Sequence, residues 1–506
     1  MRARALAVGA LIFTLTAACT GGGSTEPSSL PTGGASKASF APSVAAAECP
    51  DDIESSIIAP HTCGYLTVLE DRTHPGGPKI RLFYFRVQPE GGPTEPEPIA
   101  SVGQEIAQPP DYGSNVGIAA NSGRELILLD QRGVGHSKPS LACPEVDDVA
   151  GDLVADPLSS ASIRNAFDDA VSACRARLTE AGVHPSSYTL AAAGQDLEDL
   201  RHALGVPTWN LMAWGSASRV LLEYARRDRQ GIRALVLDAP QFPELDPISE
   251  AEPDTRHALR ALAETCGASK GCDRQYPHLE RALSQAVAAL DRSPITSSVH
   301  GRTVVVDGGA LVRVVRQMVS GGDQEHAGSL PEVVYRALHG NVQAVAQQLA
   351  DDPGMCVGYL ARCGEDPTSL GAYLSFTCSD APASLQGSSV YTEAFGEADP
   401  YVGACRAWGV KPGGAHPAPV RTDVPALVLR GAYDAFSPFD LVRQATANMS
   451  NAHVVLVPHL GHDVFSSPDD CLRDARNSWL LHPQDAPDFA ACLQTIPPPT
   501  FCGTST

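Results

Sequence analysis

The stretch Thr208-Trp-Asn-Leu-Met-Ala213 is a short apolar run, and Arg219-Val-Leu-Leu-Glu-Tyr-Ala-Arg-Arg227 carries its apolar residues at helical spacing. Between them stand Trp214, Gly215, Ser216, Ala217 and Ser218, room for a tight turn and little else. A strand that turns straight into a helix is the unit of a parallel sheet with helices on both faces. The flanking sequence repeats the pattern. Ile80-Arg-Leu-Phe-Tyr-Phe-Arg-Val87 alternates like a strand, and Pro98 to Val102 is a weaker one. Glu125-Leu-Ile-Leu-Leu-Asp130 has a continuous apolar interior, as expected of a strand covered on both faces. Ala234-Leu-Val-Leu-Asp238, Ala426-Leu-Val-Leu-Arg430 and His453-Val-Val-Leu-Val457 complete the strands; Ser162 to Ala181 and Leu190 to Leu204 have helical spacing. The expected fold class is α/β, a mostly parallel central sheet flanked by helices.

Between Pro247 and Ser375 the strand signals almost vanish, and helical patterns run through Ala258 to Thr265, His278 to Leu290, Gly309 to Val319 and Pro331 to Leu349. This predicts a helical cap at 247–375, inserted between core segments at 48–246 and 376–506. A cap of this kind shapes a substrate pocket. No internal repeat is evident.

The 506 residues carry a net charge of −21, with 43% hydrophobic and 19% charged residues. Such a chain buries a real core. Its acidic balance argues against nucleic acid and anionic membrane surfaces, which attract basic patches.

Arg2 and Arg4 precede an apolar run from Ala5 to Leu15, too short to span a bilayer. The layout is that of a signal peptide over 1–18. Thr16-Ala-Ala-Cys19 resembles a bacterial lipobox, with Thr16 where Leu is usual, so Cys19 is the expected lipidation site. The Gly-, Ser- and Pro-rich segment 19–47 reads as a flexible tether. The body is then expected at the outer face of the cytoplasmic membrane, attached through lipid alone.

Of 14 cysteines, 13 remain for the body. Their number points to an oxidising compartment. Pairing nearest neighbours, whose short loops close most easily, gives Cys49–Cys63, Cys143–Cys174, Cys266–Cys272, Cys356–Cys363, Cys378–Cys405 and Cys471–Cys492. Cys502 is left over.

Two further positions extend the elbow at 214–218 into a catalytic order. Asp434, in Leu429-Arg-Gly-Ala-Tyr-Asp-Ala-Phe-Ser-Pro438, follows a strand, where a carboxylate must sit to orient an imidazole. His462, in Pro458-His-Leu-Gly-His-Asp-Val464, follows the next strand. Elbow, acid, histidine is the chain order of an α/β-hydrolase.

With these residues, nearly the whole mature chain resembles the secreted tripeptidyl- and prolyl-aminopeptidase-like α/β-hydrolases, including lipoprotein proteases of actinobacteria. Leu128-Leu-Asp-Gln-Arg-Gly-Val-Gly-His-Ser137 is close to the family's D-Q-R-G-x-G-x-S segment. Cys63-Gly-Tyr-Leu-Thr-Val68, Ala191-Ala-Ala-Gly-Gln-Asp-Leu-Glu-Asp-Leu200, the acid and histidine loops and Pro497-Pro-Pro-Thr-Phe501 also match. The resemblance implies a hydrolase core with a helical cap. It implies removal of short peptides or prolyl residues from free amino termini by a Ser-His-Asp triad, without cofactor or metal.

The chain departs from the family at two places. The family's nucleophile segment reads G-x-S-Y-G-x-R, and counting back from Arg219 puts the serine position at Gly215. Sterics give the same register. An elbow needs small residues two before and two after its apex. Apex Gly215 leaves Ala213 and Ala217 there, whereas apex Ser216 leaves Trp214 and Ser218. The sequence therefore favours an elbow without its hydroxyl. The family's glycine-rich oxyanion turn corresponds to Ser101-Val-Gly-Gln-Glu-Ile-Ala-Gln-Pro-Pro110. Gly103 and Gln104 mark the expected oxyanion region, and Glu105 brings a negative charge to it.

Three readings follow. One is a degenerate hydrolase, a pseudoenzyme that keeps its fold and cap for binding. The second is an active peptidase or esterase whose nucleophile is Ser216 or Ser218. The third is an envelope binding or scaffold lipoprotein that uses the cap cleft for a peptide or protein partner. The ligand is a peptide or small ester in the first two.

Overall fold

The computed structural model describes residues 40–150, 154–157, 160–244, 251–321, 324–351, 369–380, 400–410, 418–437, 439–465, 467 and 469–502. The leader, Cys19 and the Cys356–Cys363 pair lie outside these residues.

The strands in chain order are β1 (Ser43–Ala47), β2 (His61–Leu69), β3 (Lys79–Val87), β4 (Ile99–Ser101), β5 (Leu126–Leu129), β6 (Trp209–Trp214), β7 (Ile232–Asp238), β8 (Ile295–Val299), β9 (Arg302–Val306), β10 (Ala426–Gly431) and β11 (Ala452–Val457). Among the described residues, nine of them form one sheet in the order β1-β2-β3-β5-β4-β6-β7-β10-β11. The pairs from β1 to β5 are antiparallel, and those from β5 through β4 to β11 are parallel. All six residues of β6 are buried because both faces are covered. Trp209, Leu211 and Ala213 join one core with the helices Leu190–Ala203 and Ser218–Arg227. Met212 and Trp214 join the opposite core with Leu472 and Trp479 of the helix Asp470–Leu481. That two-sided burial is why these strands read as unbroken apolar runs rather than as alternating ones.

β1 corrects the expected extent of the tether. Ser43 to Ala47 pair in register with Thr67 to Cys63 of β2. The pairing uses backbone groups on an edge strand whose side chains stay half-buried or exposed, so no apolar pattern announces it. The Cys49–Cys63 disulfide fastens the end of this strand to β2.

The cap region is mainly helical: Ala251–Ala268, Lys270–Gln275, Leu279–Arg292, Gly308–Ser320, Gln324–Leu338 and Gln343–Asp351. These helices enclose their own core, with Leu262, Leu283, Leu311, Val315 and Leu330 at its centre. The β8–β9 hairpin within it is absent from the sequence expectation. His300 and Gly301 both take positive φ, +50° and +77°, as a two-residue primed hairpin turn requires. Val299, Val304 and Val306 face inward, while the polar Thr296-Ser-Ser stretch masks the alternation.

Disulfides join Cys143 to Cys174, Cys266 to Cys272, Cys378 to Cys405 and Cys471 to Cys492. Cys502 is the free cysteine among the described residues. No described helix is long and apolar enough to cross a membrane.

Candidate active site

The strand order reverses at β4. The chain passes from β4 outward to β5, then returns to place β6 on the other side of β4. The carboxyl ends of β4 and β6 therefore diverge into a crevice, the place where open α/β sheets bind ligands. Glu105 follows β4, Gly215 follows β6, Asp434 follows β10 and His462 follows β11.

After β6 the chain turns sharply. Trp214 is extended at φ −129°, Gly215 takes φ +52°, and a turn of 3-10 helix at Gly215–Ala217 leads into the helix Ser218–Arg227. The left-handed residue is Gly215, which carries no side chain to strain it. Ser218 is fully buried; its Oγ donates to the carbonyl of Gly215 at 2.6 Å and accepts from the Gln241 amide at 3.0 Å. Its hydroxyl is used within the turn.

Ser216 Oγ accepts from the Ile106 amide at 2.9 Å and donates to the carboxylate of Glu105. The Ser216 amide donates to Glu105 Oε2 at 3.1 Å. The carboxylate thus lies against the elbow. A Cβ on Gly215 would come within 2.9 Å of Glu105 Cδ and 3.0 Å of Oε2.

Gln131, of the Asp130-Gln-Arg segment, holds the Glu105 loop. Its Nε2 donates to the carbonyls of Val102 and Glu105 at 3.3 and 3.1 Å, and its Oε1 accepts from the Ala107 amide at 3.2 Å. Arg132 binds Asp196 through two nitrogens at 2.7 and 2.8 Å, anchoring that segment to the helix Leu190–Ala203. The Gly103 amide is bonded to Ser101 Oγ at 3.2 Å, and Gln104 is half-buried. The loop amide that meets the elbow is that of Ile106. Gly103, at φ +103°, turns its own amide back onto β4.

On the other side, Asp434 is fully buried, and its Oδ1 accepts from the Phe436 amide at 2.8 Å and from His462 Nδ1 at 2.9 Å. Arg430 donates to the carbonyls of Gly431 and Asp434 at 2.8 Å each and so fixes the acid turn. The cap reaches this point: the Ser320 carbonyl accepts from the His462 amide at 2.8 Å, and Ser320 Oγ from the Ala435 amide at 2.8 Å. Phe436 stands edge-on to the His462 ring at 5.0 Å, with Arg316 4.5 Å from the Phe436 centroid.

His462 Nε2 lies 3.4 Å from Glu105 Oε1. The imidazole therefore sits between two carboxylates. Burial by itself would depress its pKa, but Asp434 and Glu105 outweigh that and raise it well above the ordinary 6.5. Burial likewise opposes ionisation of Asp434, yet His462, Arg430 and the Phe436 amide hold it below its ordinary range. Nearby Asp238 is pushed well up by burial and by Asp463, and accepts from the Phe465 amide at 2.7 Å. The two carboxylates favour the protonated form of the imidazole, and the Ser216 amide donates to the Glu105 carboxylate.

Metal-like clusters among the described residues are Cys49, Glu54 and His61, and Cys143, Glu145 and Cys174. Their cysteines are in disulfides and offer no thiolate.

Residues 111–265 match the family model described as alpha/beta hydrolase fold, and residues 392–492 match that of TAP-like protein. The chain has the alpha/beta hydrolase fold and carries a TAP-like segment. This TAP-like hydrolase fold is similar to serine protease Hip1 of Mycobacterium tuberculosis, 23% identical over 478 residues, which cover 85% of this chain and 87% of that one. It is 26% identical over 202 residues to a tripeptidyl aminopeptidase of Streptomyces coelicolor, and the match spans 37% of each chain. A solved esterase from Thermogutta terrifontis is 14% identical, covering 83% of this chain and 99% of that one, with a TM-score of 0.35.

Sequence reasoning placed Glu105 near the oxyanion region but missed its contact with Gly215. The signal was available in the sequence itself: a glycine at the elbow apex and an acidic residue in the loop after β4.

Proposed function

We propose that this TAP-like protein is an exported, lipid-anchored pseudoenzyme whose peptidase-type acyl transfer is lost or much reduced. Its cleft between core and cap then serves to bind a peptide. One observation carries this reading: the Glu105 carboxylate occupies the space beside Gly215 into which a nucleophile would project, while pairing with His462. Removing the nucleophile alone costs a serine hydrolase roughly 10⁶-fold in kcat. Loss of one oxyanion donor costs a further ~2.7–4 kcal/mol. The peptide class follows from relatives named tripeptidyl aminopeptidase and serine protease. The lipid anchor at Cys19 and location at the outer membrane face rest on Arg2, Arg4, the apolar run and Thr16-Ala-Ala-Cys19.

Labelling the purified protein with a fluorophosphonate tests the loss of activity. The expected result is no labelling above a heat-denatured control. Labelling that disappears in Ser216→Ala or Ser218→Ala would establish the active-hydrolase reading in its place. [³H]palmitate incorporation lost in Cys19→Ala checks the anchor.

A further inference from the structure

Resting on the reading of the site as a silent hydrolase, we infer that Glu105 is the resident ligand of a carboxylate-binding hole formed by the Ser216 amide, the Ser216 hydroxyl and the His462 imidazole.

Three groups converge on one carboxylate, two of them hydrogen-bond donors and the third an ion-pair contact. Oε2 takes the Ser216 amide at 3.1 Å and the Ser216 hydroxyl, and Oε1 faces His462 Nε2 at 3.4 Å. Two of the three come from the residue next to Gly215, at the turn that opens the helix Ser218–Arg227. The amides at such a turn favour negative charge. The third is favoured in its protonated form, with Asp434 accepting from its second nitrogen. The donor set has the polarity required by an oxyanion or a free carboxylate, and the protein fills it from its own chain. The site is therefore closed by occupancy, as well as by the missing hydroxyl at 215.

The occupant and the glycine depend on each other. A Cβ at 215 would overlap the Glu105 carboxylate, so a serine there requires the carboxylate to leave its place beside the elbow. Restoring the hydroxyl alone should fail. Vacating the hole should expose a site for small carboxylates, and acetate is the matching probe: Glu105→Ala removes a methylene and a carboxylate beyond Cβ, the heavy atoms of acetate itself.

Two measurements decide the inference. In the first, the melting temperatures of wild type, Glu105→Ala and Glu105→Gln are followed against sodium acetate, with sodium chloride as the ionic-strength control. Saturable stabilisation by acetate is expected in Glu105→Ala alone. Equal responses in wild type and Glu105→Ala would overturn the inference. If Glu105→Ala does not fold, Glu105→Gln keeps the shape and removes the charge, and the NMR titration of His462 should then move to lower pH; an unchanged titration would also overturn it. In the second, fluorophosphonate labelling compares Gly215→Ser with Gly215→Ser/Glu105→Ala. The introduced hydroxyl oxygen would bond to phosphorus, fluoride would leave and the hydroxyl proton would pass to the neutral form of His462, which removal of the Glu105 charge favours. The double variant should label at least ~10-fold more than the single, a modest share of what an open hole contributes. Equal labelling would show that Glu105 blocks nothing. Labelling of wild type on the same gel would instead sink the silent-hydrolase reading, whereas the acetate response reports only on the hole.

Discussion

A Cβ placed on Gly215 would lie 2.9 Å from Cδ of Glu105, closer than side chains pack. The two positions are therefore coupled in stability as well as in chemistry. At φ +52° a non-glycine residue also pays conformational strain, roughly 1–2 kcal/mol. Overlap in a packed site adds about 1–3 kcal/mol. Gly215→Ala should accordingly destabilise the protein by about 2–5 kcal/mol. In a Glu105→Ala background only the strain should remain. Urea unfolding of the four members of this double-mutant cycle measures the difference. Additive costs would mean that the carboxylate does not occupy the space.

His462 should titrate well above 6.5, because Asp434 and Glu105 overcome the effect of its burial. NMR of the imidazole should show this in the wild type and a fall in Glu105→Gln. The folded protein holds this proton more tightly than the unfolded chain. The resulting stabilisation is complete below about pH 6.5 and is lost as pH rises through the folded value. Asp434 has the opposite sign: its contribution is present above its ordinary 3.8 and lost as pH falls through its lowered folded value. The stability gap between wild type and Glu105→Gln, measured by urea unfolding, should therefore narrow toward alkaline pH. A gap that widens there would contradict a charged His462.

The sheet and the positions of Asp434 and His462 were legible because buried strands and the loops after them leave local patterns. The apolar interior of β5 and the small residues around Gly215 are of this kind. What escaped was made by contacts distant in sequence. β1 forms through backbone pairing with β2, which no side-chain pattern records. The Glu105 contact needs the crevice between β4 and β6, set by a strand order that crosses the sheet. Gln131 was visible within the Asp130-Gln-Arg segment, but only the folded loop shows that it clamps Val102, Glu105 and Ala107.

Asp130, beneath the same loop, is fully buried and raised to about 7 by burial, although the Tyr112 hydroxyl and the His136 amide donate to it. The folded state binds this proton more tightly than the unfolded chain, so the contribution is full below 3.8 and lost as pH rises through about 7. The span corresponds to an effect on the order of 4 kcal/mol. Asp130→Asn should flatten the stability profile between pH 4 and about 7 relative to wild type. Urea titrations at both ends read this directly, and an unchanged slope would assign the titration to another group.

The disulfides close loops of different length: 31 residues for Cys143–Cys174, 14 for Cys49–Cys63 and 6 for Cys266–Cys272. Chain entropy then ranks their removal at about 4, 3 and 2 kcal/mol as paired Cys→Ala variants. Cys266 and Cys272 are as deeply buried as Cys143 and Cys174, so the space vacated does not separate those two pairs and the loop length sets their order. The Cys49→Ala/Cys63→Ala variant carries a second signature. Its bond anchors an edge strand held mainly by backbone pairing, so the amides of Ser43–Ala47 should lose hydrogen-exchange protection before those of β3. If the strand kept its protection, pairing with β2 would suffice to hold it, and the cost of the variant would then have to come from the unfolded chain alone.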